Sequence, residues 1–249
     1  MTTPLPEPDN TTPDLNTLET QTRARLDQHL KPARREAERP AHTPADTARR
    51  NNRVLQRLRQ ARAAITETAT RATHQALTLG AQGAATEAPP PPGNTQPTTP
   101  DQPTTQTLTA DIDLREDIRY IITNQGIRIE TGPPQPNQPT TLERIIQTAE
   151  RLWNTITTRI HDAFNRGRRW YAQLFNYELR WYTRTDERVC PTCRPLNGHT
   201  IASTQGFEPT TPTEWPGTPH QPPAHYRCRC YTQVIQTGPI QRALRRTPT

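Results

Sequence analysis

Cys190-Pro-Thr-Cys193-Arg-Pro-Leu-Asn-Gly198 is followed, further along the chain, by His225-Tyr-Arg-Cys228-Arg-Cys230. These two segments hold all 4 cysteines of a 249-residue chain. A Cys-x-x-Cys spacing lets one tight turn aim two sulfurs at a single ion, as in a zinc knuckle. Pro191 stiffens that turn, and Leu196-Asn197-Gly198 is a hairpin signal directly after it. The second segment offers His225, Cys228 and Cys230 where a tetrahedral site needs two more ligands. A four-cysteine site and a three-cysteine, one-histidine site are both open at this level. Structural zinc is the expected cofactor, with a disulfide or redox pairing and metal-free thiols as the alternatives. In small zinc-dependent folds such an ion contributes about 10–16 kcal/mol.

The rest of the chain offers little else to build on. Hydrophobic residues make up 30% and aromatics 5%, with 28 prolines and a mean hydropathy of -0.96. Sequences this polar bury too little apolar surface to offset chain entropy over their whole length. All 4 tryptophans and all 3 phenylalanines lie after residue 150. A folded domain is therefore expected there, with the N-terminal half as an extended arm.

The net charge is +7, carried almost wholly by arginine, since Lys31 is the one lysine. From Arg23 to Arg71 there are 13 basic and 5 acidic residues. Such an arm suits DNA or an acidic partner, and equally a solvated helix. No stretch is apolar enough for a membrane span, and MTTPLPEPDN lacks an apolar signal core. Maturation in the cytosol without a membrane partner is expected. Thiols stay reduced in that compartment, which favours metal over disulfide.

Residues 1–83 are expected to form a basic helical arm. Leu15 to Glu38 reads as a charged helix. A second helix is predicted from Asp46 to Leu79, where Val54, Leu58, Ala61, Ile65, Ala69 and Ala72 recur at three- and four-residue steps. Residues 84–107, dominated by Pro and Thr, are expected to be a disordered linker. Over 108–138, the alternation of Ile127 and Ile129 after Asn-Gln-Gly favours a short hairpin, with a helix over 112–124 as the alternative.

Thr140-Thr-Leu-Glu143 has capping-box spacing and opens the strongest predicted helix. Leu142, Ile146, Ala149, Trp153, Ile156, Ile160 and Ala163 keep a four-three rhythm along it, continued by Gly167, Trp170 and Leu174. After Asn176 the period becomes two, with Tyr177, Leu179, Trp181 and Thr183 on one face of a half-buried strand. Residues 139–236 are expected to form the C-terminal domain, and 237–249 a flexible tail. The fold class is α+β: long N-terminal helices and a Pro/Thr linker, then a helix plus a small β zinc-knuckle C-terminal domain.

No catalytic motif stands out. Asp186, Glu187 and His199 lie near the cysteines, but all three fit turn or surface roles. The upstream His-x-Glu of zinc deaminases is absent, as are HExxH, GxSxG and a Gly-rich phosphate loop. The chain is therefore expected not to be an enzyme. His161, His199 and His220 remain unassigned, which keeps a metal-dependent nuclease conceivable.

Three stretches together resemble the phage head morphogenesis family, the Mu F-like minor capsid proteins. They are R-I-H-D-A-F-N-R-G-R-R-W-Y (159–171), R-W-Y-T-R-T-D-E-R-V-C-P-T-C-R-P-L-N-G (180–198) and P-P-A-H-Y-R-C-R-C (222–230). Trp181, Asp186, Arg188, Cys190, Cys193, Leu196, Gly198, Pro223, His225, Cys228, Arg229 and Cys230 match the family pattern in order and spacing. The resemblance covers roughly residues 140–235. It departs at Arg159-Ile-His161 and in the Pro/Thr-rich loop between Gly206 and Pro222. It implies a minor capsid protein of a tailed phage or prophage, assembled in the bacterial cytoplasm and carried in the virion head. The implied partners are portal and capsid proteins, and some relatives bind DNA. Asp186 and Arg188 flank the knuckle and are expected to form an ion pair or to hydrogen-bond the turn, while Trp181 is expected to be core. The alternatives are a zinc-containing DNA nuclease or toxin domain, and a DNA-binding protein that uses the Arg-rich arm.

Overall fold

A computed structural model describes residues 12–94, 105–125, 139–183, 191, 193–208, 221–225, 228 and 230–236. Among them are 4 α-helices: α1 (Thr12–Ala37), α2 (Pro44–Glu87), α3 (Thr105–Tyr120) and α4 (Thr141–Leu174). Three short strands follow, β1 (Glu178–Tyr182), β2 (Thr200–Ala202) and β3 (Tyr231–Ile235), so the fold is α+β as the sequence suggests. The chain divides into two compact units. One is helical and comprises Glu19–Ala72 and Thr105–Arg159. The other, C-terminal unit takes its described residues mainly from 73–104 and 160–249. The two halves of α2, and likewise those of α4, thus fall in different units.

In the helical unit the arm expected over 1–83 is packed rather than extended. Leu26, Leu30, Ala33, Val54, Leu58, Ile65, Ala69 and Ala72 are all buried. Leu114, Ile118 and Ile122, and Ile145, Leu152 and Ile156 of α4, supply further buried aliphatic side chains to this unit. Alanine and leucine on one stripe of each helix suffice for a core here, because small side chains let helices approach closely. Polar cross-links join α1 to α2: Arg53 pairs with Glu36, and His29 Nε2 lies 3.0 Å from Thr68 Oγ1.

The segment from Arg119 onward, read as the start of a hairpin, completes α3 and a π-turn over Ile121–Gln125. Burial of Leu114, Ile118 and Ile122 at four-residue steps fixes the helical period there. Residues 126–138, with the rest of the expected hairpin, lie outside the described residues.

The capping box of α4 forms in both directions. The Thr140 backbone N–H donates to Glu143 Oε2 at 2.6 Å, and the Glu143 N–H donates to Thr140 Oγ1 at 3.2 Å. The Thr140 backbone N–H, then its hydroxyl, hold the Glu143 carboxyl below the usual carboxylate range. Its folded-state pKa is depressed, so its contribution is present above the ordinary glutamate pKa and is lost as pH falls through the lower value. Thr140→Ala is expected to cost about 1 kcal/mol, read as a shift in the urea midpoint. The buried stripe of α4 coincides with the expected seam at Ile156 and Ile160 and lies one residue away from it at Ile145, Leu152 and Phe164. Ile145, Leu152, Ile156, Ile160 and Phe164 are buried, whereas Ile146 is 42% exposed. Either of the adjacent isoleucines can start a stripe, and the larger side chains continue the one through Ile145.

In the C-terminal unit the expected domain boundary at residue 84 falls inside α2. Ala84 and Ala88 are fully buried in the core formed with Tyr171, Phe175, Tyr177 and Trp181. The Tyr171 hydroxyl donates to the Ala88 carbonyl and the Tyr177 hydroxyl to the Pro89 carbonyl, both at 2.7 Å. The start of the Pro run is thereby held onto the core, and residues 84–89 are not linker. Residues 95–104 lie outside the described residues.

Gly80 of α2 and Gly167 of α4 mark a backbone-to-backbone approach. A Cβ on Gly80 would overlap the Phe164 carbonyl, with its carbon 2.8 Å away, and one on Gly167 would overlap the Leu77 carbonyl, carbon at 2.9 Å. Helix propensity alone favours alanine by about 1 kcal/mol, but forced separation costs about 3 kcal/mol. Gly167→Ala is therefore expected to be destabilised in thermal melts. A variant melting above wild type would contradict the close crossing.

Candidate metal centre

The strands position the cysteines. β1 lies at the centre of the order β2-β1-β3 and pairs antiparallel with both neighbours, Leu179 opposite Ile201 and Val234. The knuckle is the loop that joins β1 to β2. It closes through a short 3-10 turn over Arg194–Leu196, with the Gly198 N–H donating to the Trp181 carbonyl and the Trp181 N–H to the His199 carbonyl, each at 2.8 Å. Gly198 takes φ +83, the left-handed conformation that glycine adopts without strain. The Thr183 N–H donates to Asn197 Oδ1 at 2.9 Å, so all of Leu196-Asn-Gly198 takes part in closing the loop.

β3 and the turn before it deliver the second set of ligands. Cys193, Cys228 and Cys230 are 1%, 2% and 5% exposed, and their sulfurs all lie within 4.8 Å of one another. Cys193 Sγ is 3.7 Å from Cys228 Sγ and 3.4 Å from His225 Nε2. A disulfide needs about 2.05 Å between sulfurs, so Cys193 and Cys228 are not bonded to each other. The Cys193 and Cys230 thiols hydrogen-bond to Cys228 and hold it well below the ordinary thiol range, against the opposing effect of burial. Cys193, as donor, is pushed up, first by its bond to Cys228. The cluster therefore stabilises a thiolate, the form in which cysteine binds metal.

These residues fit a soft metal ion. Three buried sulfurs converge with an imidazole nitrogen beside them, inside a core of Trp181, Leu196, Phe207 and Ala224. The Trp181 indole Nε1–H is buried without a hydrogen-bond partner among the described residues, yet it favours the Cys230 thiolate. Such N–H groups commonly support metal-bound sulfur. Trp181 also packs edge-on against Phe207 at 5.2 Å, which fixes the indole. Three buried cysteines close together can thus hold a metal.

Of the remaining motif residues, Leu196 and Pro223 are buried and Gly198 makes the turn. Trp181 is core, with no exposed surface. Cys190, Asp186, Arg188 and Arg229 lie outside the described residues, as do Glu187 and His220. His199 is exposed at the end of the knuckle, and His161 is buried in α4.

Sequence reading missed a set of polar residues that hold the sheet to the helices. Asn165 Oδ1 accepts from the Thr232 N–H at 2.8 Å, while Arg169 donates to Gln221 Oε1 at 2.9 Å and to the Ser203 carbonyl at 3.1 Å. Burial lowers the pKa of Arg169. Arg168 reaches Glu87 and the Thr232 carbonyl. Asn165, Arg168 and Arg169 fall within one turn of α4, and that polar run beside Gly167 was the available signal. No protein-family model, curated protein or solved structure matches the chain.

Proposed function

We propose that the chain is a minor capsid protein of a tailed phage or prophage that associates with the portal during head assembly. Structural zinc staples its C-terminal unit. One observation carries the reading: the matching residues that the structure describes gather around a single buried centre. Trp181, Cys193, Leu196, Cys228 and Cys230 share one core, and Gly198 and Pro223 shape the loops that bring in the ligands. Their spacing in sequence thus has a common physical purpose, which supports treating the resemblance as one module. Zinc suits the donors because thiolate and imidazole select it, and burial suits a closed structural site more than an open catalytic one.

Mass spectrometry of particles induced from the host and purified by density gradient tests the assembly role. The expected result is a few copies per head in both empty and full particles. Intact, infectious particles without the chain would overturn it, and plasmid-cleavage assays with divalent metals would then test the nuclease alternative.

The distribution of charge favours a second role for the helical unit, contact with DNA phosphates. Residues 19–72 carry 13 basic and 6 acidic residues, an excess of seven that equals the net charge of the whole chain, +7. Arg25, Lys31, Arg35, Arg49, Arg59 and Arg62 are exposed, and none of their charged groups has an ionic or hydrogen-bonding partner among the described residues. The exposed large hydrophobics, Tyr120 and Ile146, lie on α3 and α4. Among the described residues, α1 and α2 carry no exposed large hydrophobic side chain, which supports charge as their means of contact. Affinity for a duplex of about 40 base pairs should fall roughly 10³-fold between 50 and 200 mM salt if some six phosphates are contacted. Binding that ignores salt, or none at low salt, would remove this role.

A further inference from the structure

We propose that Trp181 is a positioning residue of the metal centre, its indole Nε1–H donating to the Cys230 sulfur when that sulfur binds metal as a thiolate. This inference rests on the metal reading above and goes further by giving a task to a residue that the sequence places only in the core.

An unpaired donor carries the assignment. Trp181 has no exposed surface, and its Nε1–H is buried with no hydrogen-bond partner among the described residues. Interior donors are rarely left unpaired, so the direction of this one is informative. Strand register sets that direction. Trp181 stands opposite Thr232 in the β1–β3 pairing, and Cys230 precedes Thr232 by two residues. Residues two apart on a strand share a face, and diagonal neighbours across a pair lie within reach of an aromatic side chain. Trp181 and Cys230 belong to the same core cluster. Thr232 is engaged elsewhere, its carbonyl accepting from Arg168 and its hydroxyl donating to Asn165 Oδ1 at 3.3 Å. Phe207 meets the indole edge-on at 5.2 Å and 76°, which holds the ring in place.

The chemistry of sulfur explains why the donor is unpaired. A neutral thiol is a weak acceptor, whereas an ionised group accepts strongly. Metal binding removes the thiol proton and so turns Cys230 into the acceptor that the indole lacks. The surroundings agree in sign: the Cys193 thiol, first, and also the Trp181 N–H favour the Cys230 thiolate, against the Cys228 thiol and burial. A hydrogen bond at that sulfur fixes its orientation and draws electron density from it.

Loading the full chain with a magnetically active cadmium isotope tests the contact without altering a residue. A hydrogen bond to metal-bound sulfur transmits scalar coupling, so one indole proton is expected to couple to the cadmium nucleus. Trp181→Phe keeps an aromatic ring and removes the N–H. In cobalt(II) titrations it should weaken binding roughly 10–100-fold and move the sulfur-to-cobalt charge-transfer band to lower energy, because the unbonded thiolate is the stronger electron donor. Val234→Ala loosens the same core and should leave the band in place. The cadmium coupling decides the question if Trp181→Phe fails to fold. Bound cadmium with no indole coupling, or an unmoved band in folded Trp181→Phe, would overturn the assignment and leave the metal reading standing. A wild-type chain that binds neither ion would sink both.

Discussion

Cys228→Ser is expected to abolish metal binding and, with it, cooperative folding of the C-terminal unit. Among the described residues, the cluster around the site holds 3 cysteines and 13 other buried hydrophobic residues, 5 of them alanine. The sheet that frames it has 3 strands, of which the longest span 5 residues. A core this small supplies a few kcal/mol at best, whereas structural zinc supplies about 10–16 kcal/mol in comparable peptides. A bound zinc ion, as proposed, would therefore be the larger contribution. Near-ultraviolet circular dichroism reads the outcome, because Trp181 and Phe207 are locked edge to face beside the site. Loss of that signal in the variant, and in wild type treated with a chelator, is the expected result. Retention of the wild-type melt in both would show that packing alone holds the unit. Because ligands must shed protons to bind, acid should release the metal and reproduce the chelator's effect.

The second large effect is expected at Arg168, which has no exposed surface. Its guanidinium donates to Glu87 and to the Thr232 carbonyl, and Glu87 Oε2 also accepts from the Val234 N–H at 3.1 Å. The cation lies 5.4 Å from the Phe164 ring and 5.8 Å from the Tyr231 ring. One buried pair thus joins the end of α2, the last turns of α4 and strand β3. Glu87→Ala leaves the cation buried without its partner, a change that costs about 3–5 kcal/mol. Replacing both residues by apolar ones should cost much less than the sum of the single changes, since the stranded charge disappears. A double-mutant cycle in denaturant measures the difference. Additive single costs would mean that the two side chains do not act as a pair.

Local signals in the sequence translate well into structure where one residue pattern has one physical solution. The Thr140–Glu143 box, the alternation from Tyr177 to Trp181 and the Leu196-Asn-Gly198 turn all appear as read. Packing partners were harder to read. The N-terminal helices looked too polar to fold because aromatic residues are the visible mark of a core, and theirs is built from leucine, isoleucine and alanine. The chain past Ala84 looked like linker because proline follows it, yet Tyr171 and Tyr177 supply hydrogen bonds from far along the sequence. Glu87 gave no signal, and Arg168 showed only as part of the polar run beside Gly167, since charged residues read as surface until their partners are known. At the metal centre the candidate ligands were legible as a group of five. Only the fold brings the Cys193, Cys228 and Cys230 sulfurs within 4.8 Å of one another.

A metal ion that staples the C-terminal unit, as proposed, should stay with the folded chain through purification. Native mass spectrometry of the full chain, purified without added metal or chelator, tests it most directly. The expected result is one zinc ion per wild-type chain and none in Cys228→Ser. A wild-type chain that is folded by circular dichroism and carries no metal would contradict it.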